Sequence, residues 1–214
     1  MNRTLRITGT GKLSVTPDTV TIDFPIEALD YQYEQAVIKV NNAVNKLKEI
    51  LSELGSDANQ LKTNNFRVNR ETRYNKKLEI HEFAGFSAKH DMSLEVAFDN
   101  KLIHDILQKI VASDIDVDFR INFTVSDKKS AVDRLIGNAI EDAADKAKLI
   151  AKASGIVLKE ILSIDYAFSE VRFRSDFDMV YDTNEMLSEV SSAPDISPSD
   201  INLSENVTIT WRIE

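Results

Sequence analysis

The sequence predicts an α+β fold: a two-layer, mainly antiparallel sheet with long helices packed on one face. Three observations carry that prediction. Apolar and polar residues alternate in several stretches, the mark of strands with one buried and one solvated face. Three other stretches repeat apolar residues at helical spacing. Their order is ββα, ββα, βα, ββ with no clean sequence repeat, which places helices on one side of an antiparallel sheet rather than winding them around a parallel one. A chain of 214 residues buries about 70% of its unfolded surface on compaction. Hydrophobic residues at 43%, charged residues at 29%, six Gly and four Pro describe a globular chain that folds without covalent staples.

Each element has its own justification. Leu5, Ile7, Gly9, Gly11, Leu13 and Val15 share one parity, and Thr16-Pro17-Asp18 turns the chain. Val20, Ile22, Phe24, Ile26 and Ala28 form the inward row of a second strand, where Pro25, lacking an N–H, points to a sheet edge or a bulge. Asp30 is placed to cap a helix over about 31–54 with the stripe Ala36, Val37, Val40, Val44, Leu47, Leu51 and Leu54, and Gly55 ends it. Strands near 63–74 and 79–98 form a hairpin around Asn75-Lys76-Lys77. A short helix fits 100–112, and Ile115, Val117, Phe119, Ile121, Phe123 and Val125 alternate as the next strand. Ser126 is placed to cap a long helix through Ser154, ended by Gly155.

The inner stripe of that helix is small, with Ala139, Ala143, Ala144, Ala147 and Ala151 beside Leu135, Ile136, Ile140 and Ile150, which permits close backbone approach. At about 40 Å it outreaches the roughly 33 Å of a ten-residue strand, so an overhanging end is a candidate contact for another subunit. Strands over 158–168 and from Leu203 to Ile213 close the chain. Between them, residues 170–202 hold eight acidic residues against two Arg and are too long for an ordinary connection. The expectation there is a mobile acidic excursion or interaction arm, with a strand extension through Val171, Phe173, Phe177, Met179 and Tyr181.

The absence of cysteine removes disulfides, thiolate catalysis and zinc–thiolate sites. Residues 1–98 balance 13 Lys/Arg against 13 Asp/Glu, so the net charge of −9 arises wholly from the second part. That balance disfavours nucleic acid as a partner. Arg67, Arg70, Arg73, Lys76 and Lys77 make the one basic concentration, interleaved with Phe66 and Tyr74, and suit a small anion-binding surface or contact with the acidic arm of a neighbouring subunit. No P-loop, dinucleotide fingerprint or HExxH pattern occurs. Gly9-Thr10-Gly11 lies within a strand and reads as close backbone packing rather than phosphate binding. His81, with Glu79 and Glu82 nearby, and His104 on the short helix read as surface or boundary residues. His90 falls on the inward parity, where a satisfied core histidine is the simpler reading and a shifted acid–base group the sharper one. Asp114, Asp116 and Asp118 read as a solvated strand face before a hard-cation cluster. Ser126 reads as a cap before a nucleophile.

The opening Ile7-Thr8-Gly9-Thr10-Gly11 with Pro17-Asp18 resembles the SIMPL family, also called DUF541, which includes bacterial oxidative-stress defence and 26-kDa periplasmic antigen proteins. Thr63, Asn65, Tyr74 and Gly85-Phe86-Ser87-Ala88 continue the resemblance. Ser126-Asp127, then Ala139, Asp142-Ala143, Lys146-Ala147, Leu149, Ala151 and Gly155 on the long helix, extend it. Ile196-Ser197-Pro198 and Val207-Thr208-Ile209 match the closing strand, although Ser199-Asp200 stands where glycine is often found. The resemblance implies a single SIMPL-like α+β domain over 1–214 and higher oligomers, and it supplies no catalytic constellation.

The expectation is therefore a non-enzymatic, self-associating scaffold or binding protein linked to stress defence or the cell envelope. No catalytic, cofactor-binding or metal-ligating residue is assigned, and no cofactor. The expected partners are further copies of the chain and a protein contacted through the 170–202 arm. The alternatives are a small-molecule or metal-dependent enzyme around His90 or nearby acids, and a monomeric signalling adaptor. No apolar run is long enough to span a bilayer. The sequence as given reads as cytoplasmic, or periplasmic if a signal peptide has been removed.

Overall fold

The computed structural model describes residues 3–113, 115, 117–167, 171–175, 179–181 and 196–214. In chain order its elements are β1 (Thr4–Val15), β2 (Thr19–Asp30), α1 (Tyr33–Glu53), β3 (Leu61–Asn75), β4 (Ile80–Ala97), α2 (Asn100–Ala112), β5 (Phe119–Thr124), α3 (Lys128–Ser154), β6 (Leu158–Asp165), β7 (Met179–Tyr181) and β8 (Ile201–Ile213). They fall into two compact units, one of residues 1–17, 124–176 and 199–214 and one of 18–123 and 177–198. The strands divide between two sheets, a three-stranded one in the order β1-β8-β6 and a five-stranded one in the order β3-β4-β2-β5-β7. Alternation alone reports which face of a strand is buried, not which strand it joins, so this division was not legible in the pattern.

In the five-stranded unit the inward row of β2, Val20, Ile22, Phe24 and Ile26, is fully buried. It meets the α1 stripe from Ala36 to Leu51, the α2 residues Ile103, Ile106 and Ile110, and Phe119, Ile121 and Phe123 of β5 in one apolar cluster. Burying each large side chain contributes about 1.5–3 kcal/mol before entropy is counted, which is what holds both helices to this face. The β3–β4 hairpin closes around Asn75, whose side-chain oxygen accepts from the Lys77 N–H at 3.0 Å. Asp99 caps α2 by accepting from the Lys101 N–H at 2.8 Å.

In the three-stranded unit β1 and β8 pair antiparallel over their length, with Gly9 opposite Val207 and Gly11 opposite Glu205. α3 lies on this sheet through Ala139, Ala143 and Ala147, packed with Val207, Ile209 and Trp211. A Cβ at Gly9 would sit 2.0 Å from the Ala139 carbonyl oxygen, and one at Gly11 would sit 2.0 Å from that of Leu135. The small stripe and the two glycines are therefore one device for close helix–strand approach, and the stripe is occupied within the chain.

Several local expectations shift. The cap of α3 is Asp127, which accepts from the Ser130 N–H at 2.9 Å, rather than Ser126. Gln32 precedes α1, and Asp30 instead ends β2 and accepts the Gln32 N–H at 2.9 Å. Pro25 lies in an interior strand, not at an edge. Ile115 and Val117 are buried ahead of β5 without joining it. Of the expected acidic excursion, residues 170, 176–178 and 182–195 lie outside the described residues, as do Asp114, Asp116 and Phe168. Val171 and Phe173 pack with Leu13, Val15 and Leu203, and Met179–Tyr181 pair with β5.

Candidate binding surfaces

The residues with chemical potential in the sequence are dispersed. His90 sits half-buried on β4, its Nε2 2.8 Å from the Thr63 hydroxyl and its ring 5.3 Å from Phe66. Its Nδ1 is buried without a hydrogen-bond partner. Burial lowers its pKa below the usual histidine value, Lys48 adds to that, and Asp91 partly opposes it. His81 is exposed against Tyr74, while Glu82 accepts from Asn75 at 3.0 Å. His104 is half-buried on α2, and Asp118 is exposed ahead of β5. Among the described residues no group of three or more His, Asp or Glu is placed to hold a metal ion.

The outer face of the five-stranded sheet is polar and internally paired. Asn122 donates to Asp23 at 3.0 Å, Asn65 to Asp91 at 3.2 Å and Ser93 to Asn64 at 3.1 Å. Burial pushes the Glu27 carboxyl up, but hydrogen bonds from Lys89 and Ser87 outweigh it and hold the group below the ordinary carboxylate range. The carboxylates here are tied to amides, hydroxyls and a lysine, an arrangement suited to a rigid solvated face.

The C-terminal end of β2 is different in character. Two depressions of about 400 and 460 Å³ share Leu29 and Lys39, and Tyr31, Phe83 and Arg73 line the larger. Tyr31 is 71% exposed. It stands edge-on to Phe83 at 6.2 Å, Phe83 stands 5.2 Å from Phe86, and the Arg70 guanidinium lies over the Phe83 ring at 5.0 Å. Gly85 makes this possible: its φ of +131 follows a register shift in β3–β4, and a Cβ there would press on the Asp30 carbonyl at 2.8 Å. The carboxylates of the groove are engaged, Asp30 by Lys39 at 2.8 Å, Glu27 by Lys89 at 2.7 Å and Glu82 by Asn75. Arg73 and Lys46 have no ion-pair partner among the described residues. Aromatic rings beside free cations are the composition of protein-binding hot spots. The sequence exposed the Arg series, while Tyr31 and Phe83 came to it only through the fold.

The three-stranded unit treats its two sheet edges unequally. On the outer edge of β1, the Thr10 N–H donates to Asp142 at 2.7 Å and the Lys12 carbonyl accepts from Asn138 at 3.0 Å, so side chains of α3 cover its middle. Lys146 and the Thr10 N–H hold the Asp142 carboxyl below its ordinary pKa. β6, at the other edge, presents Ile161 (49% exposed), Leu162 (48%) and Ile164 (52%). Among the described residues nothing hydrogen-bonds to its outer backbone. Glu205, which shares the buried parity of Leu203 and Val207, was legible as an acid on a core face and was missed.

Together the two units define an antiparallel α+β class with helices packed on one face of each sheet. The model of the SIMPL family, described as "Protein of unknown function (DUF541)", matches residues 5–211, and the chain belongs to that family. No curated protein matches the chain. Among solved structures, the regulatory subunit of aspartate kinase from Thermus flavus aligns over 97% of this chain and 90% of that one, at 8% identity and a TM-score of 0.20. A likeness at that level carries no argument about fold or function. No helix among the described residues is long and apolar enough to cross a membrane.

Proposed function

We propose that the protein is a non-enzymatic, self-associating scaffold that works through protein contacts, in the stress-defence or envelope setting that the family resemblance implied. The observation that carries the reading is the inequality of the two edges of the three-stranded sheet. An unpaired strand edge is a template for another strand, and proteins ordinarily blunt it with charge, proline or a covering element. Here Asn138 and Asp142 cover the middle of β1, while among the described residues β6 is left open, with three large apolar side chains in water and its Lys159 and Glu160 turned back to Glu214 and Arg212. The occupant that satisfies both its free backbone groups and its apolar surface is the same strand of a second copy, which makes a closed, two-fold contact.

Light scattering after size exclusion tests this over a concentration and salt series. The wild-type chain is expected at a multiple of 24.1 kDa. Ile161→Lys and Ile164→Lys place on the edge the charge that natural edges use, and are expected to remove the two-fold contact and lower the mass at a given concentration while each chain stays folded, since both side chains are exposed in the single chain. A wild-type mass of 24.1 kDa at every concentration overturns the proposal.

A further inference from the structure

The strands at the two edges of the five-stranded sheet adjoin stretches of opposite charge in the sequence. β3, at one edge, holds Arg67, Arg70 and Arg73 and leads into Lys76 and Lys77. β7, at the other, leads into residues 182–195, which hold Asp182, Glu185, Glu189 and Asp195, no Lys or Arg, and the apolar pair Met186-Leu187. We propose that the groove beside β3 receives the 182–195 segment of a second copy of this chain, with its carboxylates on Arg70, Arg73 and Lys46 and Met186 or Leu187 against Tyr31 and Phe83.

Three features select this occupant. The groove pairs free cations with exposed rings, so its ligand carries carboxylates interleaved with apolar side chains, and 182–195 has that composition. Among the described residues Arg73 and Lys46 make no ion pair, whereas Asp30 and Glu27 are paired with lysines and Glu82, opposite Arg73 in the ladder, accepts from Asn75. The segment leaves the sheet at Tyr181, four strand spacings or about 19 Å from the strand that carries Arg73. Edge-to-edge approach of two copies brings the acidic edge of one to the basic edge of the next. The contact is head-to-tail, distinct from the two-fold contact at β6, and it rests on the reading of the protein as self-associating.

The test uses a fluorescent peptide with the sequence of residues 182–195 and the full chain carrying Glu185→Gln and Glu189→Gln, so that its own segment does not compete. Saturable binding is expected, weakened at least tenfold by Arg73→Glu on β3 and, independently, by Lys46→Glu on α1, and weakened by raising salt from 50 to about 500 mM because the pairs are exposed. Arg73→Lys is expected to retain most of the binding. In the wild-type chain, Arg73→Glu should lower the mass at a given concentration even in the Ile164→Lys background. No saturable binding, or binding by both charge-reversed variants as tight as that of the chain that keeps Arg73 and Lys46, overturns the proposal. Peptide binding with a wild-type mass that ignores both Arg73→Glu and concentration means the segment folds onto its own groove, and overturns the second-copy assignment. A β6 variant that leaves the mass unchanged bears on the edge contact alone.

Discussion

At the scale of single residues, two glycines and one histidine show how local chemistry is set by neighbours. Gly9 and Gly11 have no room for a methyl group, because backbone oxygens of α3 stand 2.0 Å from where a Cβ would be. Gly9→Ala and Gly11→Ala should each cost about 3 kcal/mol or more of stability, at the upper end of overpacking costs, read as a lower urea midpoint. Gly137, on the same helix with nothing within 4 Å, is the internal control. Gly137→Ala should raise stability by about 0.5–1 kcal/mol. His90 is held neutral by burial, so its folded pKa lies below the ordinary value of 6.5. Its contribution is complete above that value, where both folded and unfolded chains are neutral. It is lost as pH falls through the folded pKa, because the unfolded chain takes up a proton that the fold resists. The urea midpoint should therefore fall between pH 7 and pH 5, and His90→Gln should flatten that slope; parallel slopes would show that the imidazole is not the cause.

At the scale of elements, α3 both packs and protects. Its alanine stripe allows the approach, and the approach brings Asn138 and Asp142 to the outer backbone of β1. The helix thus decides which edge of its sheet stays open. Asp142→Ala frees the Thr10 N–H, and the expected result is a lower melting temperature together with a higher mass in light scattering, as a second edge becomes available. Asp142→Asn keeps an acceptor oxygen and should behave close to wild type. A fall in stability with no change in mass would mean that the β1 edge is inert even when uncovered. The alternating rows of β2, β4 and β8 and the stripe of α1 were legible because each reports its own burial. The caps were legible to within one or two residues, since Ser126-Asp127 and Asp30-Tyr31-Gln32 offer several polar groups and only the backbone path chooses among them.

At the scale of the whole molecule, net charge and its placement matter more than any single site. The −9 charge keeps copies apart at long range, so association requires local surfaces strong enough to overcome it. The two proposed contacts should answer salt oppositely: the apolar β6 contact is expected to persist or strengthen as repulsion is screened, and the groove contact to weaken. A light-scattering series in salt separates them. The sequence by itself determined the α+β class and the order of elements through periodicity and composition, local properties that survive without knowledge of neighbours, and its motifs carried the family resemblance. The tertiary structure alone decided that the strands form two sheets, that Gly9 and Gly11 meet α3, that α3 covers the middle of the β1 edge while β6 is open among the described residues, and that Tyr31 and Phe83 join Arg70 and Arg73 in one groove. Those facts depend on residues far apart in the chain becoming adjacent, and no local pattern encodes an adjacency that only the folded backbone creates.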